Sequence, residues 1–169
     1  MKTMHSTTTN APTLHVTDLA AAGAEEIAAA LRELLADVFA LYVKTKNFHW
    51  HMNGRQFRDF HLMLDDQSDQ LFAMIDPVAE RTRKLGGTSL HSIGDISRNQ
   101  RLQDNDEPDL SAEAMLKQLL LDNQELTKYL RSTHEICDRH NDVATASLLE
   151  NWIDETEQRS WFLYEIVAK

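Results

Sequence analysis

Apolar residues recur with the 3.6-residue period of an α-helix along two long segments in the first half of the chain. The first segment starts at Asp18, a residue type that caps helix N-termini, and ends at Asn53-Gly54. Its apolar stripe consists of Ile27, Leu31, Leu34, Val38, Leu41 with Tyr42, and Phe48 with His49. The second segment runs from residues 57–59 to Gly86-Gly87, with the stripe Phe60, Leu64, Leu71, Ile75, Val78 and Leu85. The pattern predicts two long helices.

The second half of the chain predicts two more long helices after a polar connection. This connection runs from Gly86 to about Asp109, which is long for a link between neighbouring helices, so we expect it to cross between distant ends of a bundle. A short helix over residues 93–102 fits inside it. The third long helix begins at 109–111 and carries Met115, Leu119, Leu126, Leu130 and Cys137. The fourth begins at 141–142, ends close to Lys169, and carries Leu149, Trp152, Ile153, Leu163 and Val167.

Four helices with one long crossover between the second and the third predict an all-α, ferritin-like four-helix bundle. No segment has the two-residue period of a strand. We assign the bundle domain to residues 18–169. Residues 1–17 are rich in Thr, Ser and Asn, carry one lysine (Lys2) and no acid, and are predicted to form a flexible N-terminal tail.

Composition narrows the class of protein. The formal net charge of −10 argues against an electrostatic grip on nucleic acid, which needs lysine and arginine at the phosphates, and favours cations as partners. Cys137 is the sole cysteine, so an intrachain disulfide is excluded and a reducing compartment is expected. No apolar run approaches the ~20 residues of a membrane span, and no secretory leader is visible. We predict a soluble cytoplasmic protein and leave association with the nucleoid open.

Five potential metal ligands lie in one stretch of the chain. They are His49, His61, Asp65, Asp76 and Glu80. At 100° per residue the last four fall within one arc of the second helix, roughly 100° wide and turned away from that helix's own apolar stripe. Carboxylate with imidazole suits iron, manganese or zinc better than magnesium or calcium. This pattern predicts a metal site.

The spacing of the arc also predicts a partner chain. Asp76 and Glu80 lie about 16 Å along the helix axis from His61 and Asp65, so no single ion spans both pairs. An antiparallel two-fold mate would bring Asp76 and Glu80 of one chain opposite His61 and Asp65 of the other. The chain contains no Glu-x-x-His, the motif of metal sites built inside one bundle, which again points to a site between chains.

Each of these residues has an alternative explanation. A lone histidine on a helix is more often a satisfied polar residue than a ligand, and acids along a helix usually form a solvated face. What favours the metal site is the ordered set of five, interleaved with Phe72 and Ala79 where a solvated face would carry lysine and glutamate.

The same residues carry a family resemblance. The string is Lys46-Asn47-Phe48-His49-Trp50, followed by Gly54, Phe57, His61 and Leu64-Asp65, and then by Asp76, Ala79-Glu80-Arg81 and Leu85-Gly86-Gly87. It resembles the signature of the Dps family of mini-ferritins, and the helical frame extends the likeness over residues 18–169. The resemblance implies a hollow cage of twelve subunits that oxidises ferrous iron, preferentially with hydrogen peroxide, and stores ferric mineral. Such a protein protects the cell and its DNA from oxidative damage.

The resemblance also implies the composition of the site. Carried over position by position, the ferroxidase ligands are His49, His61 and Asp65 of one subunit with Asp76 and Glu80 of its two-fold mate, and iron is the metal. Trp50 positions solvent, scavenges an oxidising equivalent, or packs in an interface. His51 receives no ligand role.

Departures from the family pattern leave questions open. Pro77 follows Asp76 inside the helix, and a kink there either aims the carboxylate or is incidental. DNA binding is doubtful, because relatives that compact DNA commonly use a lysine-rich tail and residues 1–17 offer only Lys2. Asp142 and Glu150 are candidate pore acids, although capping or solvated roles suit them better. Two rival functions remain: a DNA-compacting structural protein of the nucleoid, and a helical interaction module without a metal.

Overall fold

The computed structural model describes residues 16–168, which form an all-α bundle. Its helices are α1 (Ala21–His51), α2 (Phe57–Lys84), α3 (Ile93–Asn99), α4 (Ala112–Arg139) and α5 (Val143–Val167). The predicted four long helices, and the short helix within the crossover, are confirmed. The predicted tail lies outside the described residues except for Val16 and Thr17, and so does Lys169. Within the described part of the chain, no helix is long and apolar enough to cross a membrane.

Side-chain caps begin three of the five helices. Ser92, Ser111 and Asp142 each accept a hydrogen bond from the backbone N–H three residues on, at 3.1, 3.2 and 3.0 Å. The predicted cap at Asp18 is wrong, because α1 begins only at Ala21 and the residue before it, Ala20, makes no side-chain cap. Asp18 lies in a bend. Residues 20–22 are alanines, which belong neither to the apolar stripe nor to a polar face. The hydrophobic period therefore does not show where the first turn of α1 begins.

Helix α1 is the centre of the bundle, since it packs along α2, α4 and α3. Its buried positions include Leu31, Leu34 and Leu41, which are fully enclosed, and the small residues Ala24 and Ala28 that allow close approach. Burying one leucine contributes about 1.5–3 kcal/mol relative to leaving it exposed. Gly87 meets α1 at one of these alanines: a Cβ on Gly87 would lie 2.6 Å from the Cβ of Ala28. Gly86 has φ +84°, which favours glycine.

The crossover is held on α1 mainly by Asp37, which is fully buried. Its carboxylate accepts the backbone N–H groups of Arg101 and Leu102 at 2.6 and 3.0 Å, and the Arg101 side chain at 2.7 and 2.8 Å. The same guanidinium stacks 3.8 Å over the ring of Tyr129 on α4. The short helix therefore ends at Asn99 and not at 102, because residues 101 and 102 turn their backbone toward Asp37.

A second ion pair holds the start of the crossover. Arg32 of α1 donates two hydrogen bonds of 3.0 Å to Asp95, which is buried in α3. Asp95 also accepts the backbone N–H of His91 at 3.1 Å, and this hydrogen bond, with the two arginines Arg32 and Arg98, holds the pKa of its carboxyl below the usual value. The crossover is thus attached to α1 at two points, Asp95 and Arg101.

The single thiol is part of the core. Cys137 is fully buried near the end of α4, and burial, together with the charge of Asp142, raises its pKa to about 12. Because the thiolate is the reactive form, this cysteine is chemically inert in the folded chain. No redox role is assigned to it.

Replacing Asp37 by asparagine is expected to destabilise the fold by about 1.5–3 kcal/mol, the usual cost of losing a hydrogen bond to a charged group, since the half-buried Arg101 keeps its contact with Glu33. Urea unfolding followed by circular dichroism, at fixed protein concentration, measures this change. The matched control is Glu33→Gln, because Glu33 contacts the same guanidinium at 3.1 Å from an exposed position. The control should stay within about 0.5 kcal/mol of the parent. Equal effects of the two substitutions would contradict the anchoring role of Asp37.

Candidate metal centre

The site is built at the joint between α1 and α2. His49 lies in the last turn of α1, and His61 lies near the start of α2. The short connection between these helices brings the two imidazoles into a stack, with ring centroids 3.7 Å apart and an interplanar angle of 21°. Phe57 packs against His61 from the other side at 5.0 Å. His49 is 8 % exposed, so its ring orientation is set by packing.

Reciprocal hydrogen bonds fix the state of both imidazoles. Nδ1 of His49 lies 2.8 Å from the carbonyl oxygen of His61, and Nδ1 of His61 lies 2.9 Å from the carbonyl oxygen of His49. A carbonyl oxygen only accepts, so each Nδ1 carries the proton and donates it. In the neutral ring, Nε2 then keeps its lone pair. This is the arrangement in which a metal-binding histidine is oriented by an outer hydrogen bond.

Asp65 stands one turn beyond His61 on α2 and lies near His49. Its Oδ1 lies 3.8 Å from Nε2 of His49 and 2.5 Å from Nζ of Lys46. The hydrogen bond from Lys46 holds the pKa of the Asp65 carboxyl below its usual value, and that of the Lys46 ammonium above its own. Asp65 is therefore ionised and available to a cation that displaces the lysine.

Lys46 is the residue near the site to which sequence reasoning gave no role. It belongs to the string that carries the family resemblance, but a lysine is not a metal ligand at neutral pH, so the search for ligands passed over it. Its position three residues before His49 places both on the same face of α1. This three-residue spacing is the feature of the sequence that places Lys46 next to the site.

Asp76 and Glu80 are not brought to the histidines within one chain. They lie further along α2, both exposed, and Glu80 is 3.3 Å from the ammonium of Lys84. Within residues 16–168 of a single chain, no group of three or more His, Cys, Asp or Glu side chains is arranged to hold a metal ion. The helix runs without interruption through Pro77. Completion of the site by Asp76 and Glu80 of a second chain stays a prediction.

Large apolar side chains lie exposed close to the five candidate ligands. Trp50 and Phe72 expose 65 and 61 % of their surface, and Val43 of α1 is also exposed. Phe72 contacts Tyr42 at 5.5 Å between ring centroids. Phe72 falls within the ligand arc of α2, by the 100° counting. Exposed apolar residues grouped in this way mark a surface that another protein covers.

Comparison with known proteins agrees with the all-α, ferritin-like fold of this chain. The model of the ferritin-like domain family matches residues 28–169. The DNA protection during starvation protein 1 of Deinococcus radiodurans is 32 % identical over 143 residues, which cover 85 % of this chain and 69 % of that protein. This chain belongs to the Dps family. Its ferritin-like bundle is therefore the fold of the Dps family, and the resemblance found in the sequence is confirmed.

Solved structures of the Dps family superpose closely on the chain. The Dps of Thermosynechococcus elongatus has a TM-score of 0.85 at 26 % identity, covering 88 % of this chain and 94 % of that one. The archaeal Dps homologue of Halobacterium salinarum has a TM-score of 0.83 at 26 % identity, covering 96 and 94 %. The likeness extends over the whole bundle, including the crossover.

Among the remaining candidate residues of this Dps chain, Asp142 has a structural role. Asp142 is buried and caps α5, and its Oδ1 accepts a 2.7 Å hydrogen bond from Arg81, which confirms the capping interpretation over the pore one. Glu150 is exposed and lies 3.3 Å from His134. His51 places its Nδ1 2.8 Å from the Asn47 carbonyl oxygen within its own helix. Trp50 is exposed, and both of its suggested roles stay open.

Replacing Lys46 by methionine is expected to tighten binding of Fe²⁺ by roughly tenfold, the lower end of the range for outer partners of metal ligands. The reason is that Lys46 competes with a cation for Asp65 and repels it. Anaerobic titration calorimetry with Fe²⁺ measures the affinity. The control is Lys128→Met, which breaks the exposed pair of Lys128 with Glu125 on α4. Weaker binding by the Lys46 variant would show that the lysine supports the site.

Proposed function

We propose that this chain is a ferroxidase and an iron store: it oxidises Fe²⁺ and deposits Fe³⁺ as mineral inside a closed shell of about twelve copies built from two-fold dimers. The observation that carries the proposal is the pair of histidines at the α1–α2 joint. Each donates its Nδ1 proton to the other's backbone carbonyl, which leaves two Nε2 lone pairs beside an ionised carboxylate. Membership of the Dps family supports iron as the metal handled.

Each site takes ligands from two chains in this proposal. His49, His61 and Asp65 come from one subunit, and Asp76 and Glu80 come from its two-fold mate. Three features support this division: the stacked histidines next to Asp65, the exposure of Asp76 and Glu80, and the apolar side chains around them. A dimer that buries the apolar residues would bring the two ligand groups together.

The ligand types suit both oxidation states of the substrate. Imidazole nitrogen binds Fe²⁺ well, whereas added carboxylates favour the harder Fe³⁺ and so make the loss of an electron more favourable. Two irons bound close together supply the two electrons that hydrogen peroxide needs. Two Fe²⁺, one H₂O₂ and two protons give two Fe³⁺ and two H₂O; the O–O bond breaks and both oxygens leave as water. Hydroxyl radical, the product of one-electron reduction, is then avoided.

Hydrogen peroxide is the preferred oxidant in this proposal, and dioxygen is the slower one. The activity removes both reactants that generate hydroxyl radical, so it protects the cell and its DNA without contact with DNA. The relatives named for DNA protection are consistent with such a role. We place the protein in the cytoplasm, in line with its single buried cysteine.

The site between chains can be tested by mixing two inactive variants. His61→Ala removes a ligand from one half of every site, and Glu80→Ala removes one from the other half, so each homo-oligomer should lose rapid Fe²⁺ oxidation and keep its fold. In a mixed dimer both lesions fall in one site and the other site is intact. With random 1:1 mixing, about a quarter of all sites should therefore be restored. Ferrous oxidation with peroxide, followed by absorbance of the ferric product, measures the recovery.

Two controls make this experiment decisive. Light scattering should give the mass of about twelve copies of the 19.4 kDa chain for the parents and the mixture, and differently tagged chains should prove that subunits exchange. The control variant Glu135→Ala, which removes an exposed acid of α4, should retain full activity. If mixed particles never exceed the two parents in activity, the site between chains is refuted. A monomer in dilute neutral buffer would refute the shell as well.

The second candidate function is compaction of DNA by a nucleoid protein with little catalytic role. The printed names of the relatives favour it, since several are DNA protection during starvation proteins. The charge of this chain opposes it: the sequence carries 27 acids against 17 lysines and arginines. DNA binding by counterion release needs clustered cations on the protein, and the excess of acidic residues opposes this binding.

Weak or absent retention of duplex DNA at physiological salt is therefore expected in a gel-shift assay of the metal-free protein. A variant that carries four added lysines within residues 1–17 serves as the positive control, because clustered cations should restore binding. A micromolar or tighter complex of the unmodified chain at this salt would favour the DNA-compacting function.

A further inference from the structure

A cleft of about 480 Å³ lies between α2 and α5, outside the group of His49, His61 and Asp65. Its lining includes Gln67 and Gln70 of α2 with Arg159 of α5, the apolar side chains Leu62 and Phe162, and Asp66. The cleft lies on a face of α2 about 120° from the ligand arc, by the 100° counting. No role in iron chemistry uses these residues.

Arg159 is a buried cation without a carboxylate partner. It is 1 % exposed, and no Asp or Glu among residues 16–168 lies within 4.0 Å of its guanidinium. Its three hydrogen bonds go to neutral oxygens: Asn123 at 2.9 Å, Thr156 at 2.8 Å and Gln70 at 3.4 Å. Burial lowers its pKa to about 10, partly offset by the charge of Glu155 on the same helix, which is not in contact with it, and Arg159 stays charged at neutral pH.

The hydrogen bonds of Arg159 leave donors free. A guanidinium has five N–H groups, and the three bonds use Nε and one N–H on each terminal nitrogen. One N–H on Nη1 and one on Nη2 therefore lack an acceptor in the described chain. Paired N–H groups of a guanidinium match the two oxygens of a carboxylate. A buried charge without a counter-ion is costly, so an anion at this position would stabilise the fold.

Gln67 provides a second, independent donor. It is 3 % exposed, and its Nε2 is buried without a hydrogen-bond partner in residues 16–168. An orphaned amide donor costs roughly 1–3 kcal/mol when nothing accepts from it. Since Gln67 and Arg159 line the same cleft, one acceptor could satisfy both.

The rest of the cleft limits the kind of anion. Asp59 and Asp66 are exposed and also line it, and the chain as a whole carries a formal charge of −10. One guanidinium neutralises one negative charge, and the acids repel any further charge. Leu62, Met63 and Phe162 offer an apolar wall, and the space exceeds that needed by a bare inorganic ion. A singly charged ligand with a hydrocarbon portion fits these features.

We propose that the α2–α5 cleft binds a small organic monocarboxylate, with its carboxylate on the guanidinium of Arg159 and the amide N–H of Gln67, and with its hydrocarbon portion against Leu62 and Phe162. This ligand site is separate from the proposed ferroxidase centre. Its occupancy should be independent of the residues that hold iron, and its existence does not depend on the proposed function.

Titration calorimetry of the full-length, iron-free protein with butyrate tests the proposal. One butyrate per chain should bind, and the thermal unfolding temperature should rise as butyrate is added. Butyramide keeps the shape without the charge and should bind at least about tenfold more weakly, because it cannot pair with the guanidinium. Inorganic phosphate should also bind more weakly, because of its second charge. Phosphate binding as tight as butyrate, or equal binding of butyramide, would overturn the proposal.

Variants locate the binding. Gln67→Leu should weaken butyrate binding about tenfold by removing one donor, and Arg159→Gln should abolish it. The matched controls are Gln124→Leu and Arg131→Gln, both at exposed positions on α4, and they should bind as the parent does. His61→Ala should also bind butyrate normally. If Arg159→Gln does not fold, Gln67→Leu decides: unchanged affinity in this variant, or no butyrate binding by the parent, refutes the site.

Discussion

The candidate metal centre depends on the way α2 turns back along α1. Only five residues separate His51 at the end of α1 from Phe57 at the start of α2. At this joint His49 and His61 each bind the other's backbone carbonyl through Nδ1, so one interaction closes the helix pair and orients both imidazoles. The carbonyl of His49 is one of the last four of α1, which the helix itself leaves without a partner. The same two hydrogen bonds therefore hold the helix pair together and orient the candidate metal ligands.

Buried charges of α1 attach the other segments to this helix pair. Asp37 holds Arg101, and Arg32 holds Asp95, so that the middle of the crossover is tied to α1 at two points. Lys44 reaches Asp122 of α4 at 2.7 Å inside the bundle, where burial raises the pKa of that carboxyl despite the lysine. Such pairs add little net stability, but breaking one is costly, so they specify which segment lies where. The outward face of α2 stays clear of the crossover and carries the ligand arc.

Helix periodicity located most of the fold, because the long helices each bury one stripe and the period of that stripe is visible in the sequence. It failed at the two places where no stripe exists. The start of α1 lies in an alanine run after a bend, and the pattern therefore predicts a cap at Asp18 that the structure does not use. The end of α3 is set by a carboxylate 64 residues away, since Asp37 draws Arg101 out of the helix. A local pattern in the sequence does not show a contact between residues so far apart in the chain.

For the candidate site, the sequence by itself determined which potential ligands share one face of α2, and it predicted their division between two chains. Residue types and the 100° rotation put His61, Asp65, Asp76 and Glu80 on one face, too far apart for one ion, because helix geometry depends only on position along the chain. The tertiary structure alone decided the state of the ligands. The stack of His49 on His61, the protonated Nδ1 atoms and the ion pair of Lys46 with Asp65 join two helices. The same holds for the cleft at Arg159, because the burial of this charge and its hydrogen bonds to neutral oxygens are set by how α2, α4 and α5 pack together.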